Sequence, residues 1–228
     1  MKKRIAIIIA ILLVFIVSML VIIIPSMVQR NKLVAEAKAL DAVIRADEVD
    51  QTVLDEILNR KMTKGGYAVV EDAYKRFSND LHVVYTEILA KLSDEKIKQI
   101  LTIDTYKNDG PEFANSIAYV EQTKKELTDL NTKYYDLLTD ESVLSYIPEG
   151  FDENYVSYYY EFTRKYVGEN DSRSVEKSIN KIIELLDKQI DILNFLKTNK
   201  KQWQITDKGL SFSTEELTNT FNDKIKNL

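Results

Sequence analysis

The chain has 228 residues, with 31 Lys plus Arg against 36 Asp plus Glu and no cysteine. This balance excludes a strongly basic nucleic-acid binder, which needs surplus cations for the phosphate backbone. The missing thiol excludes disulfide scaffolds, thiolate zinc sites, cysteine nucleophiles and lipidation on an amino-terminal cysteine. With 6 Gly and 3 Pro there is too little turn chemistry for an all-β chain. The charge is unevenly placed. The first 28 residues carry Lys2, Lys3 and Arg4 and no acid, so the rest of the chain holds 28 cations against 36 acids, a net −8.

Ile5 to Ile24 is apolar except for Ser18, and Pro25 follows it directly. At about 1.5 Å of rise per residue this run reaches roughly 30 Å, the hydrocarbon thickness of a bilayer. It predicts a transmembrane helix that acts as an uncleaved signal anchor. A cleaved signal peptide has an apolar core of about 7–15 residues followed closely by a small-x-small site. The run here is longer, Pro25-Ser26-Met27-Val28 is no such site, and Ala35-Glu36-Ala37 lies too far beyond it. Lys2, Lys3, Arg4 and the terminal amine outweigh Arg30 and Lys32, which places the amino terminus in the cytoplasm and the following domain outside.

Beyond the anchor, apolar residues recur at helical spacing. Leu33, Ala37, Leu40 and Ile44 open a stripe that resumes at Leu54 and Leu58, with Asp47 and Gln51 on the stripe positions between. Gly65-Gly66 ends this helix, and Val70, Tyr74, Phe77, Leu81, Val84, Ile88 and Leu92 mark a second long one. Ser93-Asp94-Glu95 caps a short helix around Ile97, Ile100 and Leu101. Asn108-Asp109-Gly110-Pro111 breaks the chain, with Pro111 suited to a first helical position. The next stripe runs Phe113, Ile117, Val120, Leu127, Leu130, Tyr134 and Leu138. After a short segment from Val143 to Ile147 and a break at Pro148-Glu149-Gly150, Asp152 caps a helix with Tyr155, Tyr159, Phe162 and Tyr166 on one face. A polar stretch from Gly168 to Ser174 then leads to Val175, Ile179, Ile182, Leu186, Ile190 and Leu193, the clearest amphipathic helix of the chain.

The carboxyl terminus changes period. Trp203 and Ile205, then Leu210 and Phe212, alternate with polar residues around a Thr206-Asp207-Lys208-Gly209 turn, the pattern of a hairpin. An isolated hairpin is marginal in water, so Trp203 and Phe212 are expected to dock on the helices. Ser213-Thr214-Glu215-Glu216 reads as a Ser-x-x-Glu capping box for a last helix carrying Leu217, Phe221 and Ile225. The resulting fold class is all-α: a transmembrane helix, then an extracytoplasmic antiparallel helical bundle with a small hairpin and short helix. The expected divisions are 1–28 for tip and anchor, 29–201 for the bundle, and 202–228 for the hairpin and capping helix.

Little here carries chemistry. His82 is the sole histidine, and Ser78, Asn79, Tyr85 and Thr86 surround it at helical spacing, so a histidine metal site is not expected. The chain has no phosphate loop, Gly-x-Ser-x-Gly elbow or His-Glu-x-x-His pattern. No catalytic, cofactor or metal residue is assigned, and the protein reads as non-enzymatic. Asp140-Glu141, Glu149, Asp152 and Glu153 lack the ligand order of a calcium loop and read as helix-capping acids. Lys124-Lys125 and the run from Lys197 to Lys201 read as solvated faces, with salt-sensitive contact to an anionic cell-wall polymer or lipid heads as the alternative. Six of 13 tyrosines fall between Tyr146 and Tyr166. Most of them suit a core, but Tyr158 and Tyr160 cannot both share the buried face. With Tyr146 and Phe151 they are the candidate binding residues, because rigid exposed aromatics anchor partners or glycans.

The closing stretch Leu193-Asn194-Phe195-Leu196, Trp203-Gln204-Ile205-Thr206-Asp207, Leu210-Ser211-Phe212 and Glu216-Leu217 to Phe221-Asn222 resembles the end of helical lipoproteins and membrane-anchored envelope proteins of low-GC Gram-positive bacteria. Some of these are described as cell-wall-binding. The chain departs from the lipoprotein pattern by lacking the lipid-carrying cysteine. The resemblance implies a location in the cell envelope and carries over no catalytic residue. The expected partners are the lipid bilayer through Ile5 to Ile24 and a cell-wall polymer or another envelope protein, with no nucleic acid and no cofactor. The alternative is a regulatory, sensor-subunit or immunity-type module. Four residues inside the cell cannot signal alone, so that reading requires a partner within the membrane.

Overall fold

The computed structural model describes residues 24–46, 48–166, 169–207 and 209–228. Apart from Ile24, the apolar run from Ile5 to Ile24 lies outside these residues. Among the described residues no helix is long and apolar enough to cross a membrane. The described chain is mostly helical, with one two-stranded hairpin near its end. It divides into two compact units, each assembled from two separate stretches of chain, 1–82 with 139–167 and 83–138 with 168–228.

The first unit opens with helix α1, residues 24–44, which buries Leu33, Ala37 and Leu40. Side chains spaced three and four apart form one face, and each fully buried leucine contributes about 1.5–3 kcal/mol. The expected single helix through Leu58 is interrupted. Asp50 takes up an extended conformation and accepts the Thr52 and Val53 amides, starting a separate α2 at Gln51–Asn59. An aspartate that captures those amides competes with helix continuation; Asp47, the other polar residue expected on the stripe, lies outside the described residues. Gly65, at φ 60°, makes the left-handed turn into α3, Gly66–Leu92. Residues 66–82 of α3 belong to this unit. Helices α7, Asp140–Ser145, and α8, Glu153–Tyr166, complete it.

Contacts fix the directions of these helices. Ser26 meets Tyr67 and Glu36 meets Lys75, so α1 and α3 advance together. Tyr67 meets Tyr155 and Tyr74 meets Phe162, so α8 advances with them. The long helices of the first unit are therefore parallel, not antiparallel as the bundle expectation had it. The physical reason lies in the connections. Residues 45–65, with α2 among them, carry the chain back between α1 and α3, and the chain leaves the unit altogether between α3 and α7.

The second unit does have the antiparallel arrangement. It contains residues 83–92 of α3, then α4 Glu95–Gln99, α5 Ile103–Asp109, α6 Ala114–Leu137, α9 Glu169–Thr198, strands β1 Trp203–Thr206 and β2 Gly209–Phe212, and α10 Glu215–Lys226. Glu112 pairs with Lys200, Lys124 with Asp187, and the Tyr135 hydroxyl with Glu176, so α6 and α9 run in opposite senses. Between them lie Val120, Leu127, Ile179, Leu186 and Leu193, all fully buried.

Several local expectations shift. Helix α5 was not foreseen; Thr102 caps it by accepting the Thr105 amide. Pro111 is not the first residue of α6. Phe113 holds the N-cap position at φ 53° with no side-chain cap, and the Asp109 carboxylate instead accepts the Asn115 and Ser116 amides. Helix α9 already includes 169–174, within the stretch expected to precede it. The last cap is Thr214, which accepts the Leu217 amide, and not Ser213. The hairpin pairs Trp203 with Phe212 and Ile205 with Leu210. Trp203 stacks on Phe113 at 6.0 Å and donates its indole N–H to the Leu196 carbonyl, while Phe212 packs against Phe195 and Phe221, so the hairpin docks as expected.

Candidate functional site

The least expected feature of the first unit is a buried set of charges. Glu36 sits on α1 between Leu33 and Leu40, and Glu71 and Lys75 flank Tyr74 on α3; all three are 4% exposed or less. Arg60 follows α2. The Lys75 ammonium has three N–H donors. It places them on Glu36 at 2.8 Å, on Glu71 at 2.8 Å and on the Arg60 carbonyl at 2.7 Å. Arg60 grips Glu36 with Nε and Nη2, each at 2.9 Å. Glu71 accepts the Thr63 amide at 2.8 Å, the Thr63 hydroxyl at 2.6 Å and the Met62 amide at 3.1 Å.

The buried Glu36, Glu71 and Lys75 are completed by the partly exposed Arg60, which also reaches Glu56 at 3.5 Å. The buried hydrogen-bonding groups are matched, which is the condition under which charge survives burial. Burial pushes both carboxyls toward protonation, but the opposing bonds prevail. Arg60 and Lys75 hold Glu36, and Lys75 and Thr63 hold Glu71, below the usual carboxylate range. Because every donor of Lys75 is spent, the set does not present a free amine or carboxylate to a substrate. Its effect is mechanical. It pins the chain from Arg60 to Thr63 against α1 and α3. The pattern was visible as Glu36 inside an apolar stripe and as Glu71 and Lys75 four residues apart beside another, but sequence reasoning missed it.

The four candidate binding residues are all half-buried. Tyr158 meets the Tyr67 ring edge-on at 5.5 Å, and the Arg30 guanidinium lies 4.8 Å above its face. Burial pushes its hydroxyl pKa up. Phe151 packs on Tyr155 at 5.8 Å, and Tyr155 meets Tyr67 at 5.1 Å. Tyr67 therefore links Phe151 and Tyr158 into one aromatic group, and its hydroxyl accepts from Arg30 at 2.8 Å. Tyr160 and Tyr146 lie apart from that group. Tyr160 donates its hydroxyl to Asp140 at 2.9 Å beneath Arg164. Tyr146 donates to Asp80 at 2.7 Å and rests edge-on against Phe77. Tyr159, between Tyr158 and Tyr160, is fully buried and donates to the Val143 carbonyl at 2.9 Å; burial pushes its pKa up to about 12.

The acids beside the Pro148 break are dispersed. Asp140 pairs with Arg164, and Glu153 lies in the first turn of α8. No three potential metal ligands converge among the described residues. His82 is half-buried on α3, and burial holds its imidazole below the ordinary value. The basic runs make surface ion pairs: Lys124 with Asp187, Lys125 with Asp129 at 2.5 Å, and Lys200 with Glu112 at 2.5 Å. In the second unit a shallow cleft of about 440 Å³ is lined by Glu87, Lys91, Glu126, Asp129 and Lys133, with Lys91 bonded to Glu126 across it.

Comparison of the chain with known protein families, with curated proteins and with solved structures finds no match.

Proposed function

We propose that the protein is a membrane-anchored, extracytoplasmic helical binding or scaffold protein of the bacterial cell envelope, without catalytic activity of its own. The observation that carries this reading is the run from Ile5 to Ile24, twenty residues with a single polar interruption and cations on its leading side. The resemblance of the closing stretch to envelope proteins supports the same location. A binding role draws support from the tyrosine rings of α7, α8 and their connection. Tyr146, Tyr158 and Tyr160 are each fixed by a hydroxyl bond or a cation and remain partly open to solvent. Rings already held in place lose little entropy on binding, which suits them to a wall polymer or protein partner.

Two measurements test this. Protease added to intact cells removes the domain beyond residue 28 while the protein fractionates with membranes; a domain protected from protease and recovered in the soluble fraction overturns the location. The full chain in detergent co-sediments with purified cell-wall polymer, and Tyr158→Ala with Tyr160→Ala weakens retention. Absence of retention by wall polymer across a range of salt overturns the wall-binding role.

A further inference from the structure

The geometry points to the loop from Lys61 to Lys64 as a lipid-contacting tip, held in the headgroup layer of the bilayer that residues 5–24 enter. This rests on the anchoring proposed above. The loop exposes Lys61, Met62 (42% exposed) and Lys64, while Thr63 between them turns inward. Neither lysine has an ion pair among the described residues.

The backbone of this loop is unusually fixed for an exposed segment. Glu71 accepts the Met62 and Thr63 amides, Lys75 holds the Arg60 carbonyl, and Arg60 is clamped to Glu36. The buried charges thus hold outward an apolar side chain flanked by two cations. That combination matches a phospholipid headgroup layer, where the methionine lies among the less polar glycerol and ester groups and the lysines meet phosphates.

One bond sets the height of the loop's lower end, while Arg60, clamped to Glu36 about 18 Å past Ile24, marks where the loop descends from. The Lys64 amide donates to the Gln29 side chain at 2.8 Å. Gln29 lies five residues past Ile24, about 7 Å along a helix, and the headgroup layer extends about 5–7 Å beyond the hydrocarbon on each side. Helical side chains lean toward the amino terminus, here toward the bilayer, and lysine stems reach further still. The first turns of α1 agree: Ile24, Met27 and Val28 are 54%, 58% and 46% exposed.

The chain has no native cysteine, so single labels are clean. The full chain carrying Met62→Cys or Ala42→Cys is labelled with an environment-sensitive fluorophore. It is then reconstituted in phosphatidylcholine–phosphatidylglycerol vesicles containing headgroup spin-labelled lipid. Ala42 is exposed on α1, about 20 Å beyond Gln29. The expected result is quenching at position 62 about twofold or more above that at position 42, with a blue-shifted emission. Equal quenching at the two positions in protein that floats with the vesicles overturns the tip and leaves the anchor standing. Protein that does not float overturns the anchor itself. A blue shift at position 62 that follows protein density instead of lipid quencher marks contact between copies and overturns the tip as well.

Discussion

Lys75 and Glu36 meet at 2.8 Å with both side chains 4% exposed, joining α3 to α1 through a charge pair sealed from water. Removing one member leaves the other without its main compensation. Lys75→Met should therefore lower stability by about 3–5 kcal/mol, far more than loss of an exposed pair such as Lys98 with Glu95. Urea unfolding of the detergent-solubilised chain, followed by circular dichroism, measures both.

The same set predicts acid sensitivity. Glu36 and Glu71 ionise below their ordinary value of 4.5 in the folded chain. The folded state then binds fewer protons than the unfolded state as pH falls through this range, and stability drops with it. Their contribution is complete above about pH 4.5 and disappears as pH falls through the lowered folded values. Thermal melts between pH 7 and 3 should show this decline, and Glu36→Gln with Glu71→Gln should flatten it.

Gly66 begins α3 against the ring of Tyr155, where an added Cβ would stand 2.4 Å from two ring carbons. Gly66→Ala is expected to destabilise by about 1–3 kcal/mol despite the better helix propensity of alanine. The loss should shrink in a Tyr155→Ala background, since the two residues share one contact. A double-mutant cycle from urea midpoints checks it; equal losses in both backgrounds count against the clash.

Tyr159 tests a single buried bond. Tyr159→Phe keeps the ring and leaves the Val143 carbonyl without that donor. A loss of about 1 kcal/mol is expected in the same unfolding assay.

Trp203 is the only tryptophan, so its fluorescence reports on the surroundings of the hairpin. Its indole stacks on Phe113, which is fully buried. Phe113→Ala should red-shift the native emission and cost about 3–5 kcal/mol. Hydrogen exchange over residues 203–212 should accelerate in that variant; unchanged emission and exchange would mean that the stack does not hold the hairpin.

The helical fold was legible because stripes at spacings of three and four recur from Leu33 to Leu193, and the hairpin because Trp203 to Phe212 switches to period two. Helix boundaries were less so. Asp50, Thr102 and Thr214 are ordinary polar residues until their side chains are seen to capture amides, and many polar residues compete for that role. The tyrosine cluster stood out by composition, but not that Tyr67 would gather Phe151 and Tyr158 while Tyr146 and Tyr160 found separate acids.

From the sequence alone came the uneven charge, the apolar run at the amino terminus, the helical class and the exclusion of thiol chemistry. These depend on residue type and local period, which a linear text carries in full. Tertiary structure alone decided that the first unit's long helices are parallel, that Glu36, Glu71 and Lys75 share one dry site, and that this site pins Met62 outward. The Glu36–Lys75 pair joins residues 39 positions apart, and no local rule predicts which buried charge will meet its opposite. The −5 of the whole chain says nothing of the buried charges of the first unit, because burial pairs charges that composition only counts.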